Sequence, residues 1–119
     1  PVQSNFNPIA GITLKTKTPI VTFSLNEAGD CRAALSAKSY DDMAGDVICY
    51  GGGGTSMTCF ILNLGSNGSK TIYTSCQDIF SNKDTAISAH SITYNLNISS
   101  SSSLIFNGNT NLSGGFTIK

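Results

Sequence analysis

The segment Val21-Thr-Phe-Ser-Leu-Asn-Glu-Ala-Gly-Asp-Cys-Arg-Ala-Ala-Leu-Ser-Ala37 changes character half-way along. Val21, Phe23 and Leu25 alternate with Thr22 and Ser24, the period-two pattern of a half-buried strand. From Asn26 the reading becomes helical. Asn26 suits an N-cap, and Glu27 and Asp30 place negative charge near the first turn. Ala28, Cys31 and Leu35 recur at spacings of three and four, while Ala33, Ala34 and Ala37 add helix propensity. This predicts a helix of about a dozen residues with Cys31 against the body of the protein, too short to persist without packing or a cross-link.

Working outward, residues 1–8 read as an irregular lead-in, because Pro1 and Pro8 cannot donate ladder hydrogen bonds. Ile9 to Lys17 alternates loosely, and Ser39 to Gly45 is a polar turn. Short apolar or alternating runs follow at Val47–Tyr50, Met57–Leu64 and Lys70–Cys76, with a four-glycine loop at 51–54. Ile87 to Ile98 alternates most cleanly, with His90, Ile92, Tyr94, Leu96 and Ile98 on one side. A five-serine loop (Ser99–Ser103) leads to Leu104–Phe106, an Asn107-Gly108 turn signal and a last strand at Phe116–Lys119. Phe23, Phe60, Tyr73, Phe80, Tyr94, Phe106 and Phe116 sit mostly within strand patterns and are core candidates. The expected architecture is a single domain over 1–119 of the α+β class, one short helix packed on an antiparallel sheet.

Composition narrows the function. The 119 residues carry seven basic and seven acidic side chains, for a formal net charge of zero, and only 12% are charged. That argues against nucleic acid as a partner, since phosphate neutralisation needs a basic face. Ser, Thr and Asn supply a third of the chain instead, a surface suited to an extracellular or assembled protein. No apolar run reaches the roughly 18 residues of a membrane span, and a start at Pro1 reads as processed or trimmed. Cys31, Cys49, Cys59 and Cys76 contain no C-x-x-C pair, and His90 is the one imidazole. Two disulfides in an oxidising compartment fit better than zinc, with three pairings open.

Candidate chemistry is sparse. Gly51–Gly54 precedes Thr55-Ser56 and a strand, without the lysine or the helix of a phosphate loop. His90 would have to serve any nucleophilic serine or cysteine, yet no nucleophile-elbow pattern occurs. Asp41, Asp42 and Asp46 could offer oxygens to calcium, but their spacing matches no EF-hand loop and a solvated loop is the simpler reading. No metal or cofactor is expected. Asn67, Asn97 and Asn111 begin N-x-Ser sequons.

Two stretches carry a resemblance. Phe23 to Leu35, followed by Asp46-Val-Ile-Cys-Tyr-Gly-Gly, resembles the globular domain of type IV pilins of the b class, in which a strand runs into a cysteine-bearing helix and then a strand ending in glycines. Thr74-Ser-Cys76 is similar to that family's second cysteine, and Ser103 to Ile118 to the closing strands of minor pilins and pseudopilins. The resemblance implies pairing of Cys31 with Cys76, which leaves Cys49 with Cys59. It implies a structural, non-catalytic subunit, a minor one, of a type IV pilus or related secretion filament. Its partners would be other pilus subunits or a host surface receptor, and its location the cell surface, after a periplasmic stage. Membrane contact would run only through an N-terminal helix that these residues do not include. DNA contact through the tail is not implied, since Asn107 to Ser113 carries no Arg or Lys.

The alternative is a secreted adhesin or lectin-like module that recognises carbohydrate through its polar loops, with Gly51, Gly52, Gly53, Gly54, Thr55, Ser100 and Ser101 as candidate contacts. A secreted hydrolase would require His90 to be hydrogen-bonded to a serine or cysteine.

Overall fold

The computed structural model describes residues 1–99. The strands expected at Leu104–Phe106 and Phe116–Lys119, the Asn107-Gly108 turn and the candidate contacts Ser100 and Ser101 lie outside the described residues. The described chain forms seven strands: β1 (Gln3–Asn7), β2 (Thr13–Leu14), β3 (Ile20–Ala34), β4 (Val47–Ile48), β5 (Gly54–Phe60), β6 (Gly68–Asp78) and β7 (His90–Leu96). Its helical content is one 3-10 turn, Asp41–Met43. The fold is therefore all-β, and the expected α+β class with a packed helix is overturned.

The correction lies in β3. The alternation that starts at Val21, Phe23 and Leu25 continues through Gly29, Cys31 and Ala33, all buried, across 15 residues. Gly29 enforces it. A Cβ there would stand 2.3 Å from the Gln77 carbonyl oxygen of β6, a cross-strand approach that only glycine permits. Cys31 and Cys76 are register partners across the same ladder. Leu35, the expected helix-face residue, is 52% exposed. Burial of a period-two face against β6 outweighs the weak helix propensity of the alanines.

Hydrogen bonding runs in the order β1-β3-β6-β7-β2, with β4 and β5 on the other edge of β3. The sheet is mixed, because β2 runs parallel to β7 while the other pairs are antiparallel. A straight strand as long as β3 would span about 46 Å. Yet one groove is lined both by Ala33–Leu35, from its end, and by Ile61 and Leu62, which follow Phe60, the register partner of Ile20 at its start. So β3 doubles back around Asn26–Ala28, and the pairing with β5 shifts between Ser24 and Gly29. The first half of β3 pairs with β1 and β5, the second with β4 and β6, and the sheet folds into two layers over one core.

That core gathers Val21, Phe23, Met57, Ile72, Ile92 and Tyr94 among others. Phe6 links the layers, stacking on Phe23 at 4.7 Å and on His90 at 4.3 Å between ring centroids. The lead-in expected at 1–8 is thus largely β1. Its prolines bracket the strand, and Pro8 follows a cis bond at its end. Phe60 and Phe80, expected in the core, are 46% and 74% exposed.

Candidate functional site

All four cysteines are spent on disulfides. Cys31 bonds to Cys76 and Cys49 to Cys59, the one of three pairings that the resemblance implied. The first joins β3 to β6; the second ties the residue after β4 to β5. Two disulfides fit an oxidising, extracytoplasmic environment. Among the described residues no helix is long and apolar enough to cross a membrane.

The glycine run is a tight turn rather than an open loop. Gly51 (φ 103°) and Gly53 (φ 85°) adopt left-handed backbone. A Cβ on Gly51 would collide with the Ser56 carbonyl, and one on Gly52 with the Asp30 carboxylate. Gly54 and Thr55 already belong to β5, and Gly54 pairs with Gly29. Gly51, Gly52 and Gly53 are glycines because the turn folds back onto β3 and β5.

His90 faces the interior as the alternation required. Its ring lies flat on Phe6, with 3° between the planes. Burial against Phe6 pushes its pKa down, and the Asp84 charge pulls partly the other way. Among the described residues no serine or cysteine side chain is hydrogen-bonded to it. The three aspartates do not converge: Asp41 pairs with Lys83 at 3.2 Å and Asp46 with Lys38 at 2.8 Å. No group of three or more His, Cys, Asp or Glu among the described residues is placed to hold a metal. The Asn67 side chain is engaged, accepting from the Ile98 N–H at 2.7 Å and donating to its carbonyl.

Asp84 and Asp78 organise the segment between β6 and β7. Asp84 accepts from the Cys76 N–H (2.8 Å), Gln3 Nε2 (3.2 Å) and Ser88 Oγ (3.0 Å). The Asp78 carboxylate accepts from the Phe80 and Asn82 N–H groups and from Asn82 Nδ2, at 2.7–2.9 Å. The Asn82 amide does most to hold its carboxyl below the ordinary carboxylate range, against the opposing effect of burial. Ser81 sits at φ 67° within this turn. Ile79 and Phe80, 68% and 74% exposed, project from it into solvent. Asp78 pairs with Gly29, so the turn stands at the end of the molecule where β3 bends.

The opposite end carries the groove. It encloses about 270 Å³ between the end of β3 (Ala33, Ala34, Leu35), Val47 and the residues following β5 (Ile61, Leu62), and its lining is mostly apolar. On the outer face of β5 a further exposed set stands together: Tyr50 meets Phe60 edge-on at 5.3 Å, beside Ile20.

No family model, curated protein or solved structure matches this chain. The sequence pointed to the cysteines, the glycine run and His90, and the structure gives each of them a local structural duty. Sequence pattern alone does not reveal the turn at 78–82, the groove or the Tyr50–Phe60 pair. Asp78 followed four residues later by Asn82 was the available signal for the turn, since Asx side chains fold back on their own backbone.

Proposed function

We propose that this chain is a non-catalytic structural subunit, exported from the cytoplasm, that presents a neutral hydroxyl- and amide-rich surface within a larger surface assembly. The observation that carries this reading is the use of every cysteine in a cross-link between buried positions, which leaves no thiol for chemistry. Layered, largely antiparallel β folds recur among cell-surface domains that share no sequence similarity, which supports the location while leaving the activity open. A type IV pilus or related secretion filament is the specific assembly that the short motifs suggest. Because Phe23 to Ala34 lies in a bent strand and not in a strand that runs into a helix, that finer assignment rests on the local motifs and the cysteine pairing alone.

The test is antibody labelling of intact producing cells, together with thiol counting on denatured, unreduced protein. Labelling without lysis and no free thiol are expected. Labelling only after lysis, or four reactive thiols, defeats the proposal.

A second reading is favoured by the exposed Tyr50–Phe60 pair, flanked by Ser56 and Thr58. An aromatic face beside hydroxyls is what a carbohydrate-binding module offers a sugar ring. Glycan-array binding that disappears in Tyr50→Ala would select this reading over the structural one.

A further inference from the structure

The two ends of the molecule present an apolar knob and a mostly apolar groove, and the charges left over around them are opposite in sign. At the bend end, the Asp78 carboxylate and the left-handed Ser81 fix a turn whose product is the exposure of Ile79 and Phe80. Strained backbone held by a hydrogen-bonded network is a mark of a functional turn, and a side chain pre-set in this way loses little entropy on docking. At the other end the apolar groove lies open, with Leu62 on its rim. Between Gly29, where Asp78 pairs, and Ala34, at the groove, β3 runs five residues, or about 16 Å. The turn therefore cannot fill the groove of its own chain. Asp30 and Glu27, the latter 3.9 Å from the N-terminal ammonium, stand at the bend end, where Lys83 beside the turn is balanced by Asp41; the one carboxylate in the groove lining, Asp46, is balanced by Lys38. Lys17, whose carbonyl accepts from the Leu64 N–H, and Lys15 and Lys70, beside the Leu14–Leu96 and Gly68–Leu96 pairings, stand at the groove end.

We propose that Ile79 and Phe80 of one copy seat in the groove of a second copy, so that the chain associates head to tail. This rests on the structural-subunit reading above and names the partner as the chain itself. The contact is heterologous, so each added copy presents a fresh groove and a fresh turn, and association does not stop at a dimer. A turn tip buries little area, which places the contact in the weak class that avidity along an assembly compensates. The opposed charges make it weaken as salt is added.

The experiment is sedimentation equilibrium of the purified full chain from about 10 μM to 1 mM, at low and high salt, with two surface variants. Phe80→Asp removes the knob and Leu62→Glu blocks the groove; both positions are exposed, and circular dichroism with a thiol count checks that each variant folds. Wild-type protein should show open-ended, salt-sensitive association. Each variant alone should lose at least about tenfold in association constant, as expected for truncating an apolar anchor. An equal mixture of the two should regain association that ends at the dimer, since one partner retains only its groove and the other only its turn. Three outcomes overturn the proposal: wild-type protein that stays monomeric throughout, a groove variant that still dimerises as wild type, or a mixture that gains nothing. Cell-surface labelling is independent of all three, so the location and the contact fail separately.

Discussion

Replacing Gly29 by alanine separates the bent-strand fold from a helical one by sign. In a helix interior, Gly→Ala stabilises by about 1 kcal/mol, because alanine restricts the unfolded chain and shields the backbone. In β3 the new Cβ meets the Gln77 carbonyl oxygen at 2.3 Å and Leu25 Cδ1 at 3.3 Å, where ordinary contact begins at 3.4 Å. Relief requires β3 and β6 to part by about 1 Å, in a close-packed region where overpacking costs about 1–3 kcal/mol. The same movement strains the Gly53 N–H bond to the Gly29 carbonyl, 2.9 Å long, and the Cys31–Cys76 bridge two residues away. A loss of about 2 kcal/mol lowers a urea midpoint by roughly 1–2 M when the slope is about 1–2 kcal/mol/M. Gly45→Ala is the control, because nothing lies within 4 Å of its Cβ position and its φ is not positive; it should be neutral or slightly stabilising. Urea unfolding followed by circular dichroism reads both variants. A Gly29→Ala midpoint equal to or above that of wild type refutes the close approach of β3 and β6, and with it the bent-strand account of 20–34.

The disulfides should contribute unequally. Chain-entropy arithmetic gives about 4 kcal/mol for the 45-residue separation of Cys31 and Cys76 and about 2.7 kcal/mol for the 10-residue separation of Cys49 and Cys59. The Cys31→Ala/Cys76→Ala double variant should therefore unfold at lower urea than Cys49→Ala/Cys59→Ala, and the reverse order would contradict the entropic account. His90 imposes a pH dependence of definite sign. Its folded pKa is lowered by burial, so the unfolded chain binds the proton more readily, and stability rises with pH through the window just below about 6.5 and is lost as pH falls through it. His90→Phe keeps the ring stack on Phe6 and should flatten the slope of Tm against pH between about 5 and 7; an unchanged slope would place the titrating group elsewhere.

The strands at β5, β6 and β7 were legible because alternation along them coincides with one buried face, and the interior side of β7 followed from parity alone. β3 was misread because two periodicities overlap in it. Ala28, Cys31 and Leu35 satisfy a helical spacing, while Leu25, Gly29, Cys31 and Ala33 satisfy the strand spacing, with Gly29 contributing no hydrophobic signal. A glycine in mid-segment counts against a helix by about 1 kcal/mol, and here it marks a close strand crossing. β1 was hidden by its prolines, which bound the strand and leave its interior free to pair. The bend that makes two layers of one sheet has no local signature in Asn26-Glu27-Ala28; it is fixed by what the two halves pair with, which is information distributed over the whole chain.

The site residues were harder to read for a related reason. Phe60 and Phe80 carry the same letter as Phe23, and apolar character alone does not tell a buried ring from a presented one. What distinguishes Phe80 is its neighbourhood: the Asp78 carboxylate takes both the Phe80 and the Asn82 N–H groups, so the turn closes on its own polar atoms and leaves the ring outside. The glycines at 51–54 are the converse case. They draw notice as an unusual run, yet Gly51, Gly52 and Gly53 are set by the Ser56 carbonyl, the Asp30 carboxylate and a positive φ, so three of the four are explained without a ligand; nothing in the structure requires glycine at Gly54. The segments to which hydrogen-bonding side chains are committed locally thus divide into those that draw the chain inward and those that hold apolar side chains out, 78–82 with Ile79 and Phe80 and 84–88 with Ile87. Turn energetics account for the backbone of 78–82 but give no reason for Ile79 and Phe80 to be apolar, since Ser or Asn there would satisfy the same hydrogen bonds at less hydrophobic exposure. That unexplained choice of side chain, on a turn already paid for by Asp78, is the physical ground for expecting a contact at that end of the molecule.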